Sequence, residues 1–185
     1  GLFIGAGLDG DLAARLAPQS RRERNCRAPG MRLVEPRDYH LTLVFLGRQP
    51  PSAVSGILAD LAAIGSRHAP FRCRIHGSSL LPSKYHPRAL VANVENRPQL
   101  RDLQAELQNA VAGWLPGECP RDYFPHITLA RGGHRQRAIP DRASRGGRRA
   151  IEGILRVQAI TLYQSLPQPA CGRYLPLARV ALSGG

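Results

Sequence analysis

Two four-residue segments, His40-Leu41-Thr42-Leu43 and His126-Ile127-Thr128-Leu129, hold the side chains best suited to proton transfer in this chain. Each begins with His and alternates polar with apolar residues, the period-two pattern of a half-buried strand. In a strand, residues i and i+2 point to one face. His40 therefore shares a face with Thr42, and His126 with Thr128, while Leu41, Leu43, Ile127 and Leu129 turn toward a core. An imidazole titrates near neutral pH and can take up or release a proton there. A hydroxyl beside it can donate a hydrogen bond to an anion. Two such strands from opposite halves of the chain, facing one cleft, would supply a general base and a general acid. A lone strand histidine is usually packed or solvated. Two His-apolar-Thr-Leu runs among six histidines arise by chance only on the order of once in ten thousand chains. The repetition is signal.

The two strands need a frame, and its elements are readable. Leu2 to Gly7 reads as a strand and Asp11 to about Arg24 as a helix, with Pro18 its weak point. Pro29 to Pro36 reads as loop ahead of the first His strand, which runs to Leu46. Pro51-Ser52 opens a helix with Val54, Ile57, Leu58, Leu61 and Ile64 at helical spacing, ending near Gly65. Phe71–Leu80 and Ala89–Val94 read as a strand pair, joined by a loop holding Lys84, Tyr85, His86 and Arg88. Pro98 to Trp114 is the clearest helix, with Leu100, Leu103, Leu107 and Val111 on one stripe. Pro116–Pro125 is loop, leading into the second His strand, and Ile151–Tyr163 pairs with Tyr174–Leu182. Helix, His strand, further strands thus occurs twice, an internal duplication in outline. Antiparallel strands with helices on one side make an α+β architecture.

The 185 residues suffice for a single domain over 1–185 with a full core, or for two small lobes sharing one. No apolar run long enough to cross a membrane occurs. The opening Gly1–Asp9 lacks the basic region of a signal peptide, so the chain is expected to begin at its first strand, with an initiator Met missing. Four cysteines without a Cys-x-x-Cys pair point away from zinc and from a disulfide framework. Reduced thiols in a cytoplasm are the expectation, with Cys73 and Cys171 packing rather than reacting. The 26 basic residues against 13 acidic give a net charge of +13, which suits a polyanionic partner. Every basic residue but Lys84 is Arg, and with 19 Gly and 16 Pro that composition also fits a GC-rich coding sequence. An Arg/Gly-rich loop at about 132–149 carries Arg135, Arg137, Arg142, Arg145, Arg148 and Arg149 against Asp141 alone. Too apolar-poor to bury a face, it is expected to be mobile, either an RNA backbone clamp following Arg131 or a solvated loop.

With these motifs the chain resembles the 2H phosphoesterases, whose signature is two His-x-Thr-x motifs, and in particular the bacterial RNA 2′,3′-cyclic phosphodiesterases, also called 2′-5′ RNA ligases. The resemblance runs along most of the chain. It includes Leu2-Phe3-Ile4, the block from Met31 through His40-Leu41-Thr42-Leu43-Val44-Phe45-Leu46-Gly47, and Pro87-Arg88-Ala89-Leu90-Val91. It continues in His126-Ile127-Thr128-Leu129-Ala130-Arg131, Leu162-Tyr163-Gln164-Ser165 and Gly172-Arg173-Tyr174. The chain departs from the pattern at Leu33, where Trp is frequent, and at Tyr39, where an aliphatic is usual. The resemblance implies two pseudo-symmetric lobes of antiparallel sheet with outer helices around a central cleft. It implies hydrolysis of RNA 2′,3′-cyclic phosphate ends to 2′-phosphates, with reverse 2′-5′ ligation as a related activity. His126 would be the proton acceptor activating water, and His40 the proton donor to the leaving 3′ oxygen. Thr42, Thr128 and Arg131 would bind the phosphate. No cofactor and no metal are implied, the partner is RNA with a cyclic phosphate end, and a cytoplasmic monomer is expected. Spacing alone does not order the two histidine roles.

Other residues rank below these. Phe124 has the parity of His126 and is expected to pack in the core rather than stack a base, while Tyr85 and His86 sit on a loop that could overhang the cleft. His68, His76 and His134 are isolated and expected to be solvated; Tyr163, Ser165 and Tyr174 match the closing hairpin or simply pack. Two other functions remain open: a cyclic phosphodiesterase for small nucleotides or ADP-ribose derivatives, and a non-catalytic RNA-binding module. The intact pair of motifs argues against the last.

Overall fold

A computed structural model of the chain describes residues 1–115, 122–132, 150–166 and 173–185. In chain order the elements are β1 (Leu2–Gly7), α1 (Gly10–Arg27), β2 (Arg32–Leu33), β3 (His40–Gly47), α2 (Ala53–Gly65), β4 (Phe71–Leu81) and β5 (Ala89–Val94). Then follow α3 (Pro98–Ala110), β6 (His126–Arg131), β7 (Glu152–Val157), β8 (Ala159–Ser165) and β9 (Tyr174–Ala181). The nine strands form one sheet in the order β7-β4-β5-β6-β3-β1-β8-β9, with β2 added on β6. Its midline falls between β6 and β3, the two His strands, which pair antiparallel at Leu41 and Ile127. These residues occupy equivalent positions in the two motifs. The sheet is thus two four-stranded lobes related by a pseudo-twofold at that pair, with β2 as an addition to one of them.

The helices repeat the exchange. α1 precedes β3 in the chain but packs beneath β6 and β7 of the other lobe, whereas α3 precedes β6 and packs beneath β3. Ser20 Oγ on α1 reaches the Leu129 carbonyl at 3.5 Å, and Gln104 Nε2 on α3 reaches that of Leu43 at 3.4 Å. Both carbonyls lie three residues past a motif histidine. Leu41, Leu43, Ile127 and Leu129 are buried in the core these helices cover, with Leu16, Ile57, Leu61 and Leu103. A one-residue slip of either strand would turn its apolar pair to water. At ~1.5–3 kcal/mol per buried side chain, the four together oppose such slips by roughly 6–12 kcal/mol. That burial is what holds both histidines on the opposite, open face.

The structure departs from the expected elements in four places, one of them at α3, which ends at Ala110 and is followed by a 3₁₀ turn at Ala112–Trp114 instead of running on to Trp114. α1 passes through Pro18, as expected, but ends at Arg27 rather than near Arg24. Pro18 and Ala14, whose carbonyl loses its helical partner, both lie on the exposed side, so water can replace the missing bond. Its buried stripe of Leu12, Leu16, Ser20 and Glu23 carries the helix past that point. The expected Ile151–Tyr163 strand is two strands separated by Gln158 and sent to different lobes: β7 pairs with β4, and β8 with β1 and β9. Leu155 and Val157 face the core before the break, Ile160 and Leu162 after it, a change of parity that one straight strand cannot accommodate. Finally, Pro29–Pro36 is not all loop, since Arg32–Leu33 pairs with β6 and a 3₁₀ turn follows at Pro36–Asp38. Cys73 is buried, as expected; Cys119, Cys171 and the Arg/Gly-rich loop beyond Gly132 lie outside the described residues.

Candidate active site

Both catalytic candidates are held in the same way. His40 Nδ1 lies 2.7 Å from the Asp38 carbonyl oxygen, and His126 Nδ1 lies 2.8 Å from that of Phe124. A carbonyl can only accept, so each Nδ1 carries the hydrogen and each neutral ring keeps its lone pair on Nε2. The backbone two residues ahead of each motif therefore sets both tautomers. Continuing the antiparallel register from Leu41 and Ile127 places His40 across from Thr128, and Thr42 across from His126. The four side chains surround the pseudo-twofold. Each anchoring segment is braced: the Asp38 carboxylate accepts the Arg173 backbone N–H at 3.0 and 3.1 Å, and Tyr123 donates its hydroxyl to the Thr42 carbonyl at 2.9 Å.

The surroundings of the two rings differ. His40 is only 9% exposed. Phe3 lies 4.8 Å away between ring centroids, Tyr174 meets it edge-on at 4.7 Å, and Tyr163 stacks on Phe3 at 5.0 Å. His126 has Phe124 stacked beside it at 5.7 Å, and Phe124 is 47% exposed. That corrects the expectation of a core-packed Phe124: its ring borders the open face. Burial disfavours the imidazolium at both positions, and the nearby Arg131 cation adds to the effect, against the opposing pull of the carbonyl hydrogen bonds. The His40 pKa falls to about 4, and that of His126 is also lowered.

Arg131 ends β6 and donates from Nη2 to the Tyr174 hydroxyl at 3.1 Å. Its buried Nε has no hydrogen-bond partner among the described residues. A buried, unpaired guanidinium N–H is costly, and an anion in the cleft would relieve it. The strand β1 matters for a reason that its apolar pattern does not reveal. Phe3, Gly5 and Gly7 share the parity that faces the cleft, with Gly7 paired to His40. A Cβ on Gly7 would come within 2.7 Å of the Tyr163 hydroxyl, and one on Gly5 within 2.8 Å of the Leu41 carbonyl. Alternating glycines thus clear room for the aromatic box around His40; the Gly-x-Gly spacing at the end of β1 is the signal of it in the sequence.

The remaining candidates fall elsewhere. His68 is not solvated: its Nε2 lies 2.5 Å from Glu106 Oε2, and Arg67 pairs with the same carboxylate. His76 is exposed on β4, and Tyr85 is exposed on the loop after it, with the Lys84 ammonium 5.3 Å from its ring. Ser165 is exposed at the end of β8, paired with Tyr174. His134 lies outside the described residues. Among the described residues no group of three or more His, Cys, Asp or Glu side chains is placed to hold a metal ion. Nor is any described helix long and apolar enough to cross a membrane.

Residues 11–166 match the 2'-5' RNA ligase superfamily. The chain belongs to this family. A Thermus thermophilus RNA 2',3'-cyclic phosphodiesterase is 35% identical over 136 residues, covering 70% of this chain and 67% of the relative. The enzyme of the same name from Aquifex aeolicus is 29% identical, over 63% of this chain and 62% of the relative. Among solved structures, the Thermus thermophilus protein TT0787 superposes with a TM-score of 0.78 at 28% identity, covering 99% of this chain and 98% of that one. E. coli LigT in complex with NADP+ superposes with a TM-score of 0.69 at 25% identity, over 98% and 97% of the two chains. The two-lobed sheet that the resemblance implies is therefore the family's fold.

Proposed function

We propose that this member of the family hydrolyses the 2′,3′-cyclic phosphate at an RNA end, without a metal, leaving a 2′-phosphomonoester. The observation that carries the reading is the pair of histidines anchored alike through Nδ1, each with Nε2 left for the cleft between the His strands. A five-membered cyclic phosphate is strained, and opening it asks for one proton removed and one delivered on opposite sides of phosphorus. His126 Nε2 takes a proton from water as the water oxygen attacks phosphorus. The bond from phosphorus to O3′ breaks, and His40 Nε2–H protonates that oxygen. General base and general acid typically contribute ~10²–10⁴ each. Thr42 and Thr128 donate to the non-bridging oxygens, where negative charge accumulates, and Arg131 supplies a forked cation for the same oxygens. The same displacement supports 2′-5′ joining when a ribose 5′-hydroxyl takes the place of water, its proton passing to His126 as O3′ leaves with a proton from His40. All these groups come from one chain, which suits a monomer.

The free enzyme holds His40 neutral at pH 7, whereas the proposed acid must be protonated. The bound phosphate reconciles the two, because its negative charge favours the imidazolium of any ring beside it. The test is an RNA ending in a 2′,3′-cyclic phosphate, incubated with enzyme and EDTA, with the product phosphate mapped. A 2′-phosphate at an undiminished rate is expected. A rate that EDTA abolishes and a divalent ion restores would overturn the metal-independent mechanism, and turnover of cyclic mononucleotides alone would favour a small-nucleotide substrate.

A further inference from the structure

On one side of His40 the cleft opens into a cavity of about 420 Å³, within the ~300–1,000 Å³ usual for small-ligand sites. Tyr163 and Tyr174 form part of its wall, and three arginines from separate segments line it: Arg37 in the turn before β3, Arg156 on β7 and Arg179 on β9. His126, Thr42, Thr128 and Arg131 do not. The cavity therefore belongs to the His40 side of the site alone. Its three arginines are exposed, and none of them is in an ion pair among the described residues. Two carboxylates share the wall, and backbone N–H groups already engage both: Asp9 accepts from Leu12 at 2.7 Å, and Asp38 from Arg173. Three guanidinia against two carboxylates leave the wall net positive, with arginine forks that match phosphate geometry.

The chemistry says which phosphate belongs there. In an in-line displacement the attacking water and the departing O3′ lie on opposite sides of phosphorus. With His126 on the water side and His40 on the O3′ side, the terminal ribose must sit toward His40. The 5′ carbon of that ribose carries the phosphodiester to the preceding nucleotide, so the rest of the RNA leaves the site on the His40 side. We propose that the cavity lined by Arg37, Arg156 and Arg179 is a subsite for this upstream phosphodiester, selecting an oligoribonucleotide of two or more residues over a cyclic mononucleotide. The assignment rests on the hydrolase reading and on the histidine roles that go with it.

The test compares a diribonucleotide ending in a 2′,3′-cyclic phosphate with a 2′,3′-cyclic mononucleotide that has no 5′ phosphate. The wild-type enzyme should favour the dinucleotide in kcat/KM. In R37Q/R156Q/R179Q the KM for the dinucleotide should rise about tenfold or more, the effect of deleting one charge-assisted hydrogen bond to phosphate. The mononucleotide KM should stay within about twofold, and the salt dependence of dinucleotide binding should flatten as arginine–phosphate contacts are lost. Arg101→Gln, an exposed charge on α3, removes one of the same charges away from the cavity and should leave the preference intact. Equal losses for both substrates, or an unchanged dinucleotide KM, would overturn the subsite. So would a wild-type enzyme indifferent to the upstream nucleotide, and in all three cases the hydrolase reading stands. Hydrolysis of neither substrate would overturn that reading, and the subsite with it.

Discussion

The two His strands are nearly the same in sequence and identical in how they hold the ring, yet they place it in different media. His40 sits at the bottom of an aromatic box made by Phe3, Tyr163 and Tyr174, while His126 stands near the rim beside the exposed Phe124. The backbone just ahead of each motif dictates the tautomer, through a carbonyl two residues upstream of the histidine. The proton affinity comes from what other strands bring to the ring. β1 and the β8–β9 hairpin enclose His40, and nothing comparable encloses His126 among the described residues. A duplicated motif can thus divide into unlike partners without changing its own residues.

The largest expected effect breaks the pair outright. His40→Ala and His126→Ala should each lower kcat by at least ~10² with the far-ultraviolet circular dichroism unchanged. The double variant should be little worse than the weaker single one, because acid and base act as a unit. Near-wild-type turnover in either single variant would remove that histidine from the chemistry.

Next in size is Arg131→Ala, expected to cost about 10² in kcat/KM because the phosphate oxygens then lack their cation. It should also raise the pKa of both imidazoles, since the Arg131 cation lowers each of them. Steady-state kinetics and a histidine NMR titration read the two effects separately. A kinetic loss with both titrations unmoved would mean that the guanidinium lies too far from the rings to act on their charge.

The pH dependence sharpens the asymmetry. In the free protein both rings should titrate below 6.5, His40 near 4. The kcat/KM profile, which reads the free enzyme, should be bell-shaped with its optimum on the acid side of 6.5, its flanks belonging to the coupled pair. The kcat profile should lie at higher pH, because the bound phosphate favours both charged forms. A lowered folded-state pKa also means that the unfolded chain binds more protons between about 4 and 6.5. Conformational stability should therefore fall as pH drops through that window, less so in His40→Asn. Equal titration of the two rings would abolish the asymmetry between them.

The smallest change tests how the box and the phosphate site are joined. Tyr174→Phe keeps the ring against His40 and deletes the hydroxyl that accepts from Arg131. A loss of only a few-fold in kcat/KM is expected, with the His40 titration nearly unmoved. A loss as large as that of Arg131→Ala would give the phenol a direct role.

Much of the fold is readable along the chain. The strands Leu2–Gly7 and Ala89–Val94 are legible to the residue, and both His strands nearly so, because alternating apolar side chains on a half-buried sheet carry their own register. The split at Gln158 is also present as a change of parity, but two adjacent strands without a turn residue between them look like one strand until their pairing partners are known. Phe124 misleads for a related reason. Apolarity argues for burial on average, and only the path of the segment before β6 puts that ring at the rim. His68 cannot be paired with Glu106 from sequence, since nothing local connects residues that far apart.

By itself, then, the sequence determined the two catalytic candidates, the face each occupies and the hydroxyl beside each, since periodicity is a local property enforced by burial of Leu41, Leu43, Ile127 and Leu129. Tertiary structure alone decided that the two strands meet at Leu41 and Ile127, that one ring is enclosed and the other open, and that three arginines far apart in the chain line one cavity beside His40. Solvation, field and cavity shape are sums over residues distant in sequence. No window of the chain contains them.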